Sequence, residues 1–125
     1  MSRKIFIRSG TIEMSAELND SPTALALFTA LPLTAEANTW GDEIYFQIPV
    51  DRKLDSTAAE VVQAGELGYW PSGRAFCIFF GPTPVSRGEE IRPASAVNVI
   101  GKLTGDARAL KAVHDGDLIE LDVAR

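Results

Sequence analysis

Apolar and polar residues alternate in short runs along this chain, and glycine or proline interrupts nearly every run. Such a pattern leaves room for little besides a β sandwich or barrel. Ile12, Met14, Ala16 and Leu18 alternate with Thr11, Glu13, Ser15 and Glu17, as in a strand with one buried face. Ile5 and Ile7 alternate with Lys4, Phe6 and Arg8, and Ser9-Gly10 between the two runs predicts a hairpin turn, because glycine accepts positive φ at little cost. Ile44, Phe46 and Ile48 share one strand face, Glu43, Tyr45 and Gln47 the other, and Pro49 ends the run. A further strand is expected over 58–62, followed by a turn at Gly65-Glu66. Residues 67–70 and 75–80 read as a hairpin joined by Pro71-Ser72-Gly73-Arg74, and its second strand is apolar on both faces, which predicts cover on both sides. Val97, Val99, Gly101 and Leu103 form another alternating run, and 117–123 a last strand.

Helices are few. Ser21 is a suitable N-cap and Pro22 a suitable first helical residue. Ala24, Leu27, Phe28 and Leu31 then follow one helical face until Pro32 stops it. A second, brief helix is expected over 106–113, with Gly116 past its end. About eight strands and two short helices favour a closed antiparallel barrel, because closure removes exposed edges and the helices can cap the open ends.

The chain has 125 residues, 46% hydrophobic and 23% charged, which suits one domain over residues 1–125. A net charge of −5 and a pI near 4.8 leave no basic footprint for nucleic acid. No apolar stretch approaches the roughly 18 residues needed to cross a bilayer, and the N-terminus has no export signal. One cysteine, Cys77, cannot form an internal disulfide. The expected location is therefore the cytoplasm.

Four motifs stand in order: Glu43-Ile44-Tyr45-Phe46; Gly68-Tyr69-Trp70-Pro71-Ser72-Gly73; Phe79-Phe80-Gly81-Pro82-Thr83-Pro84; and 92–101, Arg-Pro-Ala-Ser-Ala-Val-Asn-Val-Ile-Gly. Together they resemble the prokaryotic cyclophilin-like family of small proteins. The resemblance covers nearly the whole chain and is most specific from Trp40 to Gly101. It implies an eight-stranded antiparallel barrel with a helix over each end, and no established reaction. The Phe-His-Arg and Gln-Gly-Gly-Asp-Phe elements of the prolyl isomerases do not occur in this chain, and a fold does not carry a function whose site is missing.

The reactive residue types offer little chemistry. His114, the only histidine, follows the second helix and reads as a surface or capping residue. Cys77 lies in an apolar run and reads as a small buried hydrophobe. Neither has companions at metal-ligand spacing, and no cofactor motif is present. The candidate site is instead a partly apolar binding pocket. Tyr45, Trp70, Phe79 and the rigid Thr83-Pro84 rim would line it, and Glu43, Arg92, Ser95 and Asn98 would supply its polar contacts. Bland readings stand beside these. Glu43 and Tyr45 most simply face solvent, Asn98 most simply satisfies the core, and Arg92 most simply pairs with Glu89 or Glu90. The expected partner is a small molecule or short peptide, with self-association left open. A prolyl isomerase using Arg92 and a purely structural or oligomerisation domain are the alternatives.

Overall fold

The computed structural model of the protein describes residues 3–124. Its strands are β1 (Arg3–Ser9), β2 (Ile12–Leu18), β3 (Leu33–Glu36), β4 (Asn38–Thr39), β5 (Glu43–Gln47), β6 (Ala58–Ala59), β7 (Glu66–Trp70), β8 (Ala75–Phe79), β9 (Val97–Leu103) and β10 (Leu118–Val123). One α-helix, α1 (Pro22–Ala30), and two short 3-10 segments, Pro71–Gly73 and Ala107–Ala112, accompany them. The strand path runs β3-β10-β1-β2-β9-β7-β8-β5-β4, antiparallel throughout, with β6 added beside β9. The two ends of that path, β3 and β4, are separated in sequence by Ala37 alone. Residues 33–39 thus form one bent stave that pairs first with β10 and then with β5, bringing the barrel close to closure. Counted that way, the ring has eight staves. Ala37 is buried at the bend, its N–H donating to Asp117 O (2.8 Å) and its carbonyl accepting from Gly116 N (2.9 Å).

The alternating runs of β1, β2 and β5 sit as their pattern predicts, whereas in β9 a register shift opposite Leu67/Gly68 puts Val97 and Val99 in an outer cluster and Ile100 and Leu103 in the main core. Ile5 lies opposite Ala16 and Ile7 opposite Met14, and all four point into the main core. Phe46 and Phe76 face one another across β5 and β8 with ring centroids 5.4 Å apart. Ser21 caps α1 through its Oγ, which accepts from Ala24 N (3.2 Å). The helix drives Ala24 and Leu27 into the same core, whereas Phe28 is only half-buried and has the Arg3 guanidinium 5.9 Å from its ring centroid. Leu27→Ala should lower stability by about 2–3 kcal/mol in urea denaturation. That is toward the low end for a buried leucine, because a nine-residue lid can settle into part of the void. A loss below about 0.5 kcal/mol would show that α1 does not seal the core.

Two local expectations need correction. The strand expected over 58–62 shortens to Ala58–Ala59 plus a single bridge between Val62 and Ile91. The Asp55 carboxylate folds the chain just before it by accepting from Thr57 N (2.8 Å) and Thr57 Oγ1 (2.5 Å), a local turn that competes with the ladder. The second helix is 3-10 in form, started by Asp106 accepting from Arg108 N. Leu118 is exposed, and Ile119 and Leu121 carry the burial of the last strand.

A second apolar layer lies on the outside of the barrel. Ala75, Cys77, Phe79 and Val97 pack there with Val62 and Ile91 from two long irregular connections, 48–65 and 80–96. The other face of β8 meets the main core, so all five of its residues are buried. That is the double cover its composition predicts. Among the described residues no helix is long and apolar enough to cross a membrane.

Candidate functional site

The outer layer stops short of covering the sheet completely, and local turns decide what it leaves open. Trp40-Gly41-Asp42 turns the chain into β5, with Trp40 N–H donating to Glu43 O (2.9 Å). Gly41 has φ +61°, and a Cβ there would come within 2.9 Å of Pro82 O and Pro84 Cδ, so only glycine fits. Asp42 N donates to Pro82 O and Phe80 N to Asp42 O, each at 2.9 Å. The proline segment therefore braces the turn that presents Trp40. At the far end of β7, Pro71–Gly73 reverses the chain beneath Trp70. A Cβ on Gly73 would lie 2.7 Å from the Trp70 ring, and Trp70 Nε1 donates to Ser95 Oγ (2.6 Å). Trp70 is thus held at both its ring face and its N–H.

Between these two tryptophans is a cavity of about 220 Å³ lined by Trp40, Glu43, Tyr45, Trp70, Cys77, Pro93, Ala94 and Val97. Glu43 lies at its wall, only 5% exposed. Among the described residues nothing donates a hydrogen bond to its Oε1. Burial pushes the Glu43 carboxyl up to about 7, against a smaller opposing effect of the Cys77 thiol beside it. Burial, and then the neighbouring Glu43 carboxyl, hold the Cys77 thiol well above its ordinary range, so it stays a neutral thiol. Among the described residues no lysine, arginine or histidine lines the cavity, and no group of three or more His, Cys, Asp or Glu is placed to hold a metal. Chemically, the cavity offers aromatic faces and one carboxyl that accepts hydrogen bonds when ionised and donates one when protonated.

Of the nine residues expected at the site, Glu43, Tyr45 and Trp70 line this cavity. The solvent-facing reading of Glu43 fails because the outer layer covers its strand face. Ser95 acts one step back, through its bond to Trp70. Phe79 is fully buried opposite Glu43 on β8. Thr83 is buried inside its own loop, where its N–H donates to Ser86 Oγ (2.9 Å) and its hydroxyl donates to Arg92 O. Pro84 packs on Gly41. Arg92 lines a neighbouring cleft that shares Pro93 and Ala94 with the cavity. Its guanidinium is held by Glu90, with Nε at 2.6 Å and Nη2 at 3.3 Å. Asn98 faces the opposite way. Its amide nitrogen donates to Thr23 Oγ1 (3.0 Å) and Lys53 O (2.9 Å), and its oxygen accepts from Asp55 N (2.8 Å). Trp70, Arg92 and Asn98 therefore do not converge on one site. Sequence reasoning missed Trp40, Pro93, Ala94 and Val97 as lining residues. Trp40-Gly41-Asp42 was a readable turn signal, whereas the others depend on how the 80–96 connection folds back. Cys77 is buried as expected, yet it also lines the cavity because it lies opposite Tyr45. His114 is an exposed residue whose N–H donates to Asp117 Oδ2 (2.8 Å).

The nearly closed antiparallel barrel with few short helices is that of the cyclophilin-type barrels. The Cyclophilin-like family model matches residues 3–122, and the chain belongs to that family. It is similar to the solution structure of a hypothetical protein from Archaeoglobus fulgidus, with 41% sequence identity and a TM-score of 0.83, covering 98% of this chain and 95% of that one. No curated protein matches the chain.

Proposed function

We propose that the protein is a binding module whose outer-face cavity takes a small ligand or one side chain of a short peptide. The observation that carries this reading is Glu43, a buried carboxyl at the wall of a largely aromatic cavity with one oxygen lacking a donor. Burying an unpaired carboxyl is unfavourable, and among the described residues no donor reaches that oxygen. Such expense is ordinary in a pocket, where a few placed polar groups orient a ligand against apolar walls. The braced Trp40 turn and the doubly held Trp70 keep the walls in place before binding, which reduces the ordering cost. The size fits a small occupant: a cavity of about 150 Å³ holds benzene, so 220 Å³ takes about seven to ten heavy atoms. The cytoplasm remains the proposed location, on the free, buried Cys77.

A thermal-shift screen of small metabolites tests this reading. A ligand at 100 times its Kd should add about 2.7 kcal/mol to stability. Trp70→Ala should abolish the response to any hit while the far-UV circular dichroism stays unchanged. Hits that bind Trp70→Ala as well as the parent protein would move the site elsewhere.

Prolyl isomerase activity is not expected. Catalysis needs a donor or charge at the strained amide, and Arg92, the cation nearest the cavity in sequence, is committed to Glu90 outside it. A proline-peptide assay should return the uncatalysed rate, with a time constant of tens to hundreds of seconds. Acceleration lost in Arg92→Ala would reverse this ranking.

A further inference from the structure

We infer that the ligand of this cavity is a small organic cation, an alkylated ammonium group held against the faces of Trp40, Tyr45 and Trp70 with the Glu43 carboxylate as its counter-ion. The inference rests on the binding-module reading and deepens it. Three aromatic side chains line one small cavity together with one acid. Aromatic faces carry negative electrostatic potential and attract cations, most strongly when water is excluded. The polar edge of Trp70 is already used, because its N–H donates to Ser95, and Gly73 packs against the ring, so what Trp70 has left to offer the cavity is π surface away from that contact. The remaining lining residues, Cys77, Pro93, Ala94 and Val97, place no positive charge against an incoming cation. Among the described residues the one buried side-chain oxygen without a donor belongs to the acid, and a cation or N–H group is what it lacks.

The charged and titratable surroundings are few. Within the cavity, β5 contributes Glu43 and Tyr45, and β8 contributes Cys77, whose thiol is held neutral. β7, β9 and the 80–96 connection contribute Trp70, Val97, Pro93 and Ala94, none of them ionisable. Asp42 lines a separate cleft with His114 and Asp115. Arg92, Arg87 and Glu60 line the adjacent one, where Glu90 binds Arg92. Glu43 is thus the group whose ionisation decides cation affinity. A carboxyl that titrates at about 7 is mostly protonated at pH 6 and mostly ionised at pH 8, so a cation should bind about tenfold more weakly at pH 6. Binding at pH 6 should also release close to one proton per ligand.

Choline and its neutral carbon isostere 3,3-dimethylbutan-1-ol are the probes, measured by isothermal titration calorimetry on the full chain in two buffers of different ionisation enthalpy. Choline should bind at least tenfold more tightly than the alcohol at pH 8, and lose about tenfold by pH 6 with proton release. Glu43→Gln should remove the pH dependence and most of the preference, leaving the share that the aromatic faces supply. Tyr45→Leu, which keeps an apolar wall, should weaken choline several-fold and leave the alcohol unaffected. Equal binding of the two probes, or choline binding indifferent to Glu43→Gln, overturns the cation inference and leaves an apolar binding module standing. The cation inference also falls if neither probe binds but the metabolite screen yields a Trp70-dependent anion or neutral compound. If no compound in that screen binds through Trp70, the binding-module reading falls as well.

Discussion

Replacing Glu43 by glutamine is expected to stabilise the protein by about 3 kcal/mol at pH 8 and by less than about 1 kcal/mol at pH 5. Burial raises the folded-state pKa of Glu43 from 4.5 to about 7. A raised folded pKa means that the folded protein holds its proton more tightly than the unfolded chain does. Below pH 4.5 the carboxyl is neutral in both states and has no effect on the balance. Between about 4.5 and 7 the unfolded chain ionises first, and stability falls as pH rises. Above 7 the folded protein carries a buried carboxylate, and the full penalty applies. Glutamine is nearly isosteric with the neutral acid and never ionises, so it removes the penalty and leaves the shape. Urea denaturation of both proteins at pH 5 and pH 8 measures the difference. A Gln variant no more stable than the parent at pH 8 would mean that Glu43 finds a donor in solution. The expected gain is what a functional group shows when its placement costs stability.

Asn98→Ala is expected to destabilise the protein by about 3–5 kcal/mol, since a buried polar group left unpaired costs about 1–3 kcal/mol. The side chain is fully buried and its amide joins three segments. It donates to Thr23 at the start of α1 and to Lys53 O, and it accepts from Asp55 N. Truncation leaves Lys53 O and Asp55 N without these partners and opens a void between the helix and the 48–65 connection. Asp55 in turn holds Thr57 and Thr23, so the loss spreads through a connected network. The check is the shift in urea midpoint, read with the m-value. A loss below about 1 kcal/mol would mean that water replaces the amide and that the 48–65 connection is not pinned there. Ligand binding should survive, because Asn98 does not line the cavity.

Period-two alternation determined the barrel staves. Ile5, Ile7, Met14, Ala16, Leu18, Ile44 and Phe46 occupy the core face their spacing implies, because side-chain direction in a strand is a local property. Ser21 and Pro22 likewise marked the helix start through chemistry confined to a single turn. The apolar character of both faces of β8 even announced a second layer. What covers that layer was not legible. Apart from the short β6, residues 48–65 and 80–96 form no strand, and their course is set by contacts far away in sequence, such as Ser95 with Trp70 and Asp55 with Asn98. The burial of Glu43 depends on that cover, so alternation alone pointed it to solvent. Arg92 was drawn from the site by Glu90, two residues away, and Asn98 by the helix and loop on the opposite face. Sequence periodicity thus determined the staves and, except where the register shift interrupts β9, their inward faces. Only the tertiary structure decided which outward-facing residues were enclosed with Trp40 in a cavity, because enclosure depends on long-range packing of irregular chain.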